Sequence, residues 1–236
     1  MVAVAIIPAR AGSKSIPDKN LQKIGGKSLL QHTVEAAQLL NSFDRIFVLT
    51  DSEDYASYAQ SLGAEVPYIR GLQSSNDMAS DIDVFLELLD KVPLRGDTVL
   101  AHLRPTTPLR KVKVLQEALD IFVSSLDEFS SLRSVQEMPE SALKSFLVDS
   151  SGMLLPILDQ NTDQQNLPRQ LFPKTFSANG YIDLFNVEQV LTGSLHGSKI
   201  HAFVTEPVIE IDSLFELEIA RLMFNNIVEG NHENNN

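Results

Sequence analysis

Between Pro8 and Asn20 the chain reads Pro-Ala-Arg-Ala-Gly-Ser-Lys-Ser-Ile-Pro-Asp-Lys-Asn, directly after an apolar run. These residue types suit a polyanion: a glycine such as Gly12 lets backbone amides approach phosphate oxygens closely, and Arg10, Lys14 and Lys19 supply opposing charge. From Met1 to Lys27 the five cations Arg10, Lys14, Lys19, Lys23 and Lys27 face the single acid Asp18, although the 236-residue chain carries a net charge of -12. Charges are screened over about 8 to 10 Å at physiological salt, so a bound anion feels this local excess more than the distant acidic surface. A small polyanion is the expected partner. A general nucleic-acid binder is not, because phosphate backbones are held through many Lys and Arg contacts. The competing reading of the segment is a solvated basic loop.

Two familiar phosphate motifs fail here. Gly26-Lys27-Ser28 resembles the end of a Walker A loop, but its first glycine would fall on Leu21. The dinucleotide-binding pattern needs three spaced glycines after the first strand, and only Gly12 is present. A second constellation lies late in the chain, at Glu210-Ile211-Asp212. On an extended strand, residues two apart face the same side, so both carboxylates can address one magnesium ion. The alternative is helix capping by Asp212 beside a solvated Glu210. A third is the turn Arg104-Pro105-Thr106-Thr107-Pro108-Leu109-Arg110, which two prolines make rigid.

The elements that must position these residues alternate between apolar runs and helical periods, the pattern of an α/β fold around a mainly parallel sheet. Strands are expected at Val2–Ile7, Arg45–Thr50, Val66–Ile69, Thr98–Leu103, Leu132–Gln136, Tyr181–Phe185 and Ile200–Val204. Helices are expected at Ser28–Leu40, from the caps Asp51 and Ser52 to Gly63, and at Asp81–Leu89, Val112–Ser124 and Ser213–Val228. The basic loop then sits beyond the carboxyl end of the first strand, where open α/β sheets bind ligands. Residues 1–229 read as one domain, with 137–176 a hairpin-like excursion that holds the polar stretch Asp159–Asn166, and 230–236 as a disordered polar tail. Cysteine is absent, which excludes disulfides and thiolate chemistry and fits a reducing, cytoplasmic setting. The opening MVAVAIIP is too short for a signal-peptide core, and the sequence holds no apolar run long enough to span a membrane.

The Ala9-Arg10, Ser13-Lys14 and Pro17-Asp18-Lys19-Asn20 elements together resemble the start of CMP-sialic acid synthetases. Further stretches keep the family's order: Leu49–Ser52, Arg70–Ser80, Pro105–Arg110, Pro168-Arg169-Gln170 and Asn179-Gly180, so the resemblance spans about Val4 to Asn225. It implies a Rossmann-like, three-layer nucleotidyltransferase fold and the transfer of CMP from CTP to a sialic-acid-like nonulosonic acid, with Mg2+ as cofactor. Arg10, Ser13, Lys14 and Lys19 would then hold the CTP phosphates. Ala9, Gly12, Asn20, Arg70, Ser75 and Asp77 would belong to the nucleotide site, and Arg104, Thr106, Lys144, Arg169, Gln170 and Asn179 to the sugar site. Asp212 and Glu210 would bind the metal. Lys144 matches a lysine that reaches a neighbouring subunit's site, which implies a homodimer.

Three departures stand out. Arg104 replaces a glutamine common at that position, Ser177 replaces an arginine, and Glu210 replaces an aspartate. A guanidinium presents a fixed fork to a carboxylate or to several acceptor oxygens, so Arg104 points to a variant sugar such as a legionaminic-type acid, or to a structural ion pair. Arg104 or Lys174 could make up for the arginine missing at Ser177. His32 and His102 are read as structural. The closest rival is CMP-Kdo synthesis, whose loop lacks the counterpart of Asn20. A non-catalytic nucleotide or sugar-acid binding protein is a second rival, and a phosphatase is disfavoured by the lack of an Asp-x-Asp motif after a strand.

Overall fold

Alternation in the first apolar run builds the centre of the molecule. Ala3, Ala5 and Ile7 face one core cluster while Val4 and Ile6 face another, and all five are buried. A strand buried on both faces must be a central strand of a layered α/β sheet. The computed structural model describes residues 2–157 and 165–233, with side chains described as far as Asn226. Most of the polar stretch Asp159–Asn166 therefore lies outside the described residues.

In chain order the elements are β1 (Ala3–Pro8), β2 (Lys23–Ile24), β3 (Lys27–Ser28), α1 (Leu29–Leu40), β4 (Arg45–Leu49), α2 (Glu53–Ser61), α3 (Leu72–Ser75) and α4 (Asp81–Lys91). There follow β5 (Val99–His102), α5 (Val112–Ser124), β6 (Ser131–Glu137), β7 (Phe146–Val148), β8 (Leu154–Pro156), β9 (Phe176–Asn186), α6 (Val187–Leu191), β10 (Ile200–Val204) and α7 (Leu214–Glu233). The main sheet has six strands in the order β10-β6-β9-β5-β1-β4. Strands β4, β1 and β5 run parallel, as do β6 and β10, while β9 is antiparallel to both neighbours. The expected mainly parallel α/β architecture is present.

Helices cover both faces. On one side α1 buries Leu30, Val34, Ala37 and Leu40 and α5 buries Leu115, Ala118, Leu119 and Phe122. Each of the larger side chains contributes roughly 1.5 to 3 kcal/mol through the area it removes from water. On the other side α4 supplies Val84, Phe85 and Leu88, and α6 supplies Val187 and Val190. A third cluster matters most for function. Ile16 of the basic loop, Ile24, Leu29, Ile211 and the α7 residues Leu217 and Ala220 are all buried together.

Three expectations change. Val66–Ile69 forms no strand, because only the isolated bridges Glu65 to Phe47 and Ile69 to Thr50 pair there. Glu210–Asp212 is extended chain outside any strand, held by the Ile211 amide donating to the Thr106 carbonyl at 2.8 Å. The last helix continues through Glu233 into the segment expected to be a disordered tail, and residues 234–236 lie outside the described ones. The excursion does contain a hairpin, formed by the antiparallel pair β7 and β8.

Candidate active site

The loop after β1 is shaped by its own backbone contacts. The Ala11 amide donates to Asp51 Oδ1 at 2.8 Å, and the Asn20 side-chain amide donates to the Arg10 carbonyl at 3.0 Å. Gly12 takes φ +72°, a left-handed conformation that only glycine adopts without strain, and the space around it is open. Pro8, Arg10, Ser13, Lys19 and Asn20 thereby line a cleft of about 230 Å3, whose opposite wall is Asp81, His102, Arg104, Pro105 and Thr106. A second cleft of about 210 Å3 shares Pro8, Arg10 and Asp81 and adds Arg70, Ser74, Asn76 and Asp77. The two form one continuous site beyond the carboxyl ends of β1 and β5.

The late acidic pair joins this site. Lys19 Nζ donates to Asp212 Oδ1 at 2.9 Å. The cause is the third apolar cluster: Ile16 and Ile211 are drawn inward together, and their charged neighbours are left facing one another. Asp212 does not cap α7. Ser213 does so, with its hydroxyl accepting from the Glu216 amide at 3.4 Å while Glu216 accepts from the Asp212 and Ser213 amides. Glu210 accepts from the Thr106 hydroxyl at 3.4 Å, and burial followed by the charge of Asp212 pushes its carboxyl above the usual range. A cation would relieve that repulsion. Among the described residues no three His, Asp or Glu side chains converge to hold a metal alone. Two carboxylates completed by phosphate oxygens and water are a donor set that magnesium favours, so the residues fit this ion.

The cations of the loop already have counterions. Asp77 binds Arg10 Nη1 at 3.1 Å and also pairs with Lys14. The Lys14 hydrogen bond, ahead of the field of both cations, holds the Asp77 carboxyl below its ordinary range. Across the cleft, Arg104 Nη2 donates to Asp81 Oδ2 at 2.7 Å and Nη1 to Asp183 Oδ2 at 3.4 Å. Burial works against the Arg104 charge, but Asp183, Asp81 and Glu210 outweigh it and raise the pKa. The capping box between Ser80 and Asp83 fixes the first turn of α4 and so the place of Asp81. Arg110 fastens the proline turn from behind, donating to the Arg104 carbonyl at 2.7 Å, to those of Gly180 at 2.9 Å and Tyr181 at 2.7 Å, and to that of Thr107.

Arg10, Ser13, Lys19, Asn20, Arg104 and Thr106 thus share one cleft with Asp212 in contact, Glu210 bonded to Thr106, and Arg70 and Asp77 adjoining. Other predicted residues play different parts. Ala9 is fully buried in the core, and its amide continues the sheet by donating to the Leu49 carbonyl. Ser75 turns its hydroxyl to the Gly71 carbonyl and meets Arg10 only through its own carbonyl. Asn179 is buried, donating to Thr205 Oγ1 at 2.7 Å and accepting from the Tyr181 amide at 3.3 Å, so it shapes β9 and does not line the cleft. Lys144 pairs with Glu140 at 2.7 Å over the Phe172 ring, and Arg169 donates to the Pro139 carbonyl at 2.9 Å. Arg169 and Gln170 line a separate groove of about 220 Å3 on the excursion. Lys174 pairs with Glu137 at 2.7 Å, so Arg104 alone of the two suggested replacements lies in the cleft. Sequence reasoning missed Asp81 in the cleft wall and the buried Asp183 beneath Arg104, while His102, read as structural, is buried in that wall. The run of acids before a helical period reads only as a helix start.

A family model described as Cytidylyltransferase matches residues 4–172. The chain belongs to the cytidylyltransferase family. This cytidylyltransferase-family chain is 39% identical over 158 residues to the CMP-N,N'-diacetyllegionaminic acid synthase of Legionella pneumophila, a match covering 66% of each. It is 31% identical over 220 residues to the N-acylneuraminate cytidylyltransferase of Streptococcus agalactiae, covering 90% of this chain and 50% of that protein. The chain thus spans from half to just under two thirds of the length of these relatives. Its fold is shared with a CMP:2-keto-3-deoxy-manno-octonic acid synthetase solved in complex with CTP, at a TM-score of 0.70, 19% identity and coverage of 96% of this chain and 99% of the other.

Proposed function

We propose that this chain is a magnesium-dependent enzyme that transfers CMP from CTP to the anomeric hydroxyl of a sialic-acid-like nonulosonic acid and releases pyrophosphate. The observation that carries the reading is the Lys19 to Asp212 contact of 2.9 Å, which brings the cationic loop and the acidic pair to one cleft. The names of the relatives, a diacetyllegionaminic acid synthase and an N-acylneuraminate cytidylyltransferase, support the substrate class.

The roles follow from charge and position. Arg10, Lys14 and Lys19 take the triphosphate oxygens in exchange for the carboxylates they now meet, which aligns the α-phosphate and stabilises the charge of the departing pyrophosphate. Glu210 and Asp212 would hold magnesium, which as a Lewis acid supplies further charge stabilisation at the phosphates. Arg70 and the second cleft provide room for the nucleoside. His102 is not a general base: burial first, then the charge of Arg104, depresses its pKa to about 3.

The excursion is the proposed homodimer contact. Leu147, Val148, Leu154 and Leu155 are exposed on the β7–β8 hairpin, and a two-stranded hairpin is marginally stable in water unless covered. A second copy seated there would bring Lys144, Arg169 and Gln170 towards a neighbouring cleft. Sedimentation at micromolar concentration should give a dimer, and Leu147→Asp with Leu155→Asp should give a monomer; a monomeric parent chain removes this part. The total lack of cysteine supports a cytoplasmic location. Among the described residues no helix is long and apolar enough to cross a membrane.

The reaction is tested by pyrophosphate release with CTP and magnesium, offering N-acetylneuraminic, legionaminic, pseudaminic and 3-deoxy-manno-octulosonic acids in parallel. Release with at least one nine-carbon acid is expected. Release with the eight-carbon acid alone, or with none, overturns the assignment.

A further inference from the structure

Arg104 stands in the cleft, but its charge is spoken for. Its Nη2 donates to Asp81 and its Nη1 to Asp183, and Asp183 lies a further 3.7 Å from Arg133 Nε. Two cations therefore meet two carboxylates, and the network is neutral before Glu210 adds its field. The loop cations differ in one respect: all their partners are exposed, whereas Arg104, besides the half-exposed Asp81, is bound to a buried carboxylate. Their partners Asp77 and Asp212 have side chains 49% and 66% exposed, so an arriving anion can displace them into water. The Asp183 side chain is 2% exposed and has no water to retreat to. Leaving a carboxylate buried without its cation is costly, so Arg104 stays bound to it.

A substrate carboxylate placed at Arg104 would meet a cation already compensated from beneath and the charge of Asp81 beside it. A neutral group meets no such penalty. Arg104 has five N–H donors, of which two go to carboxylates, and Asp81 is a half-exposed acceptor on the same cleft wall. Donor and acceptor side by side match an amide or a hydroxyl, which carry both functions. Resting on the reading of the preceding subsection, we propose that Arg104 and Asp81 recognise a neutral hydrogen-bonding substituent of the sugar, an N-acyl amide or hydroxyl, and not its carboxylate. Asp183 is the positioning residue that fixes Arg104 in this role.

The test is a specificity panel with the wild-type enzyme, Arg104→Gln, Asp81→Asn, Asp183→Asn and the Arg104→Gln/Asp183→Asn double variant. Each is given CTP with sugar acids that share the carboxylate and differ in N-acyl and hydroxyl substituents. A lost hydrogen bond to a charged group corresponds to about tenfold or more in kcat/KM. Arg104→Gln should shift the ratio of kcat/KM between acids by at least about tenfold, with KM for CTP unchanged within about twofold. Asp183→Asn should shift the same ratio, and the double variant should be no worse than the poorer single one. Loss by one common factor for every acid, or a folded Asp183→Asn enzyme with wild-type ratios, overturns the proposal. Should Asp183→Asn fail to fold by circular dichroism, Asp81→Asn decides, since its half-exposed side chain must give the same ratio shift. Wild-type enzyme inactive on every acid would instead refute the assigned reaction, a separate outcome.

Discussion

Asp77 holds Arg10 and Lys14 together, and Asp212 holds Lys19, so the cations of the proposed triphosphate site are paired with the protein's own carboxylates. In the proposed reaction, triphosphate binding would be an exchange of anions that leaves the loop cations paired throughout. Asp212 has a second duty if it also takes the metal, and the two can be separated by mutation. Asp212→Ala should lower kcat by about a hundredfold or more, the equivalent of nearly 3 kcal/mol, while the thermal midpoint stays within a few degrees, because the side chain is largely exposed. Turnover near normal would remove Asp212 from the chemistry. At this scale the grouping of Arg10, Lys19 and Asp212 was legible because cations beside a glycine suit an anion and two acids two positions apart suit one cation. Asp183 was not. Its partner Arg104 is 79 positions away, and only packing reveals the pairing. Asn20 and Asn179 were visible as amides, but whether an amide faces a ligand or the chain is decided by its neighbours.

Elements with strong periodicity were readable. The span of α5 and β10 matches expectation because sustained apolar spacing and a run of branched or aromatic residues leave one reading. The short helices α3 and α6, of four and five residues, are too brief for a helical period to show. The Val66–Ile69 stretch is extended but pairs at single points only. The β2–β3 turn is an element whose cost of change can be stated. Gly25 has φ +56°, and an added Cβ would run into the Phe224 ring of α7. Gly25→Ala should therefore cost about 1 to 3 kcal/mol by strain and overpacking, read as a lower urea midpoint. Because α7 begins beside Asp212, activity should fall as well; an unchanged midpoint would show that α7 does not press on this turn.

For the whole molecule, the buried His102 and the half-buried His196 make stability depend on acid. Desolvation first, then nearby cations, lowers the pKa of His102 to about 3 and of His196 to about 4, against 6.5 for an ordinary imidazole. The unfolded chain thus binds protons below pH 6.5 that the folded chain refuses. Stability from these two groups is fully present above that pH and declines as pH falls towards 4 and 3, by at most about 1.4 kcal/mol per pH unit for each histidine. Urea melts at pH 7.5 and 5 should show the loss, and His196→Gln should reduce the slope; a flat profile would mean the rings are protonated in place. Sheet order was the least legible property. Parallel pairing follows from alternation, but nothing local tells that β9 runs against its neighbours and carries Asp183 between His102 and Arg133.

The salt link from Lys19 reaches across 193 positions. A ribosome-bound chain that has emerged with its sheet half assembled has the cationic loop but not the acid that Lys19 meets in the folded protein. Under the proposed function the site is complete only once Asp212 has been made, and fragments ending before Glu210 should fail to release pyrophosphate from CTP.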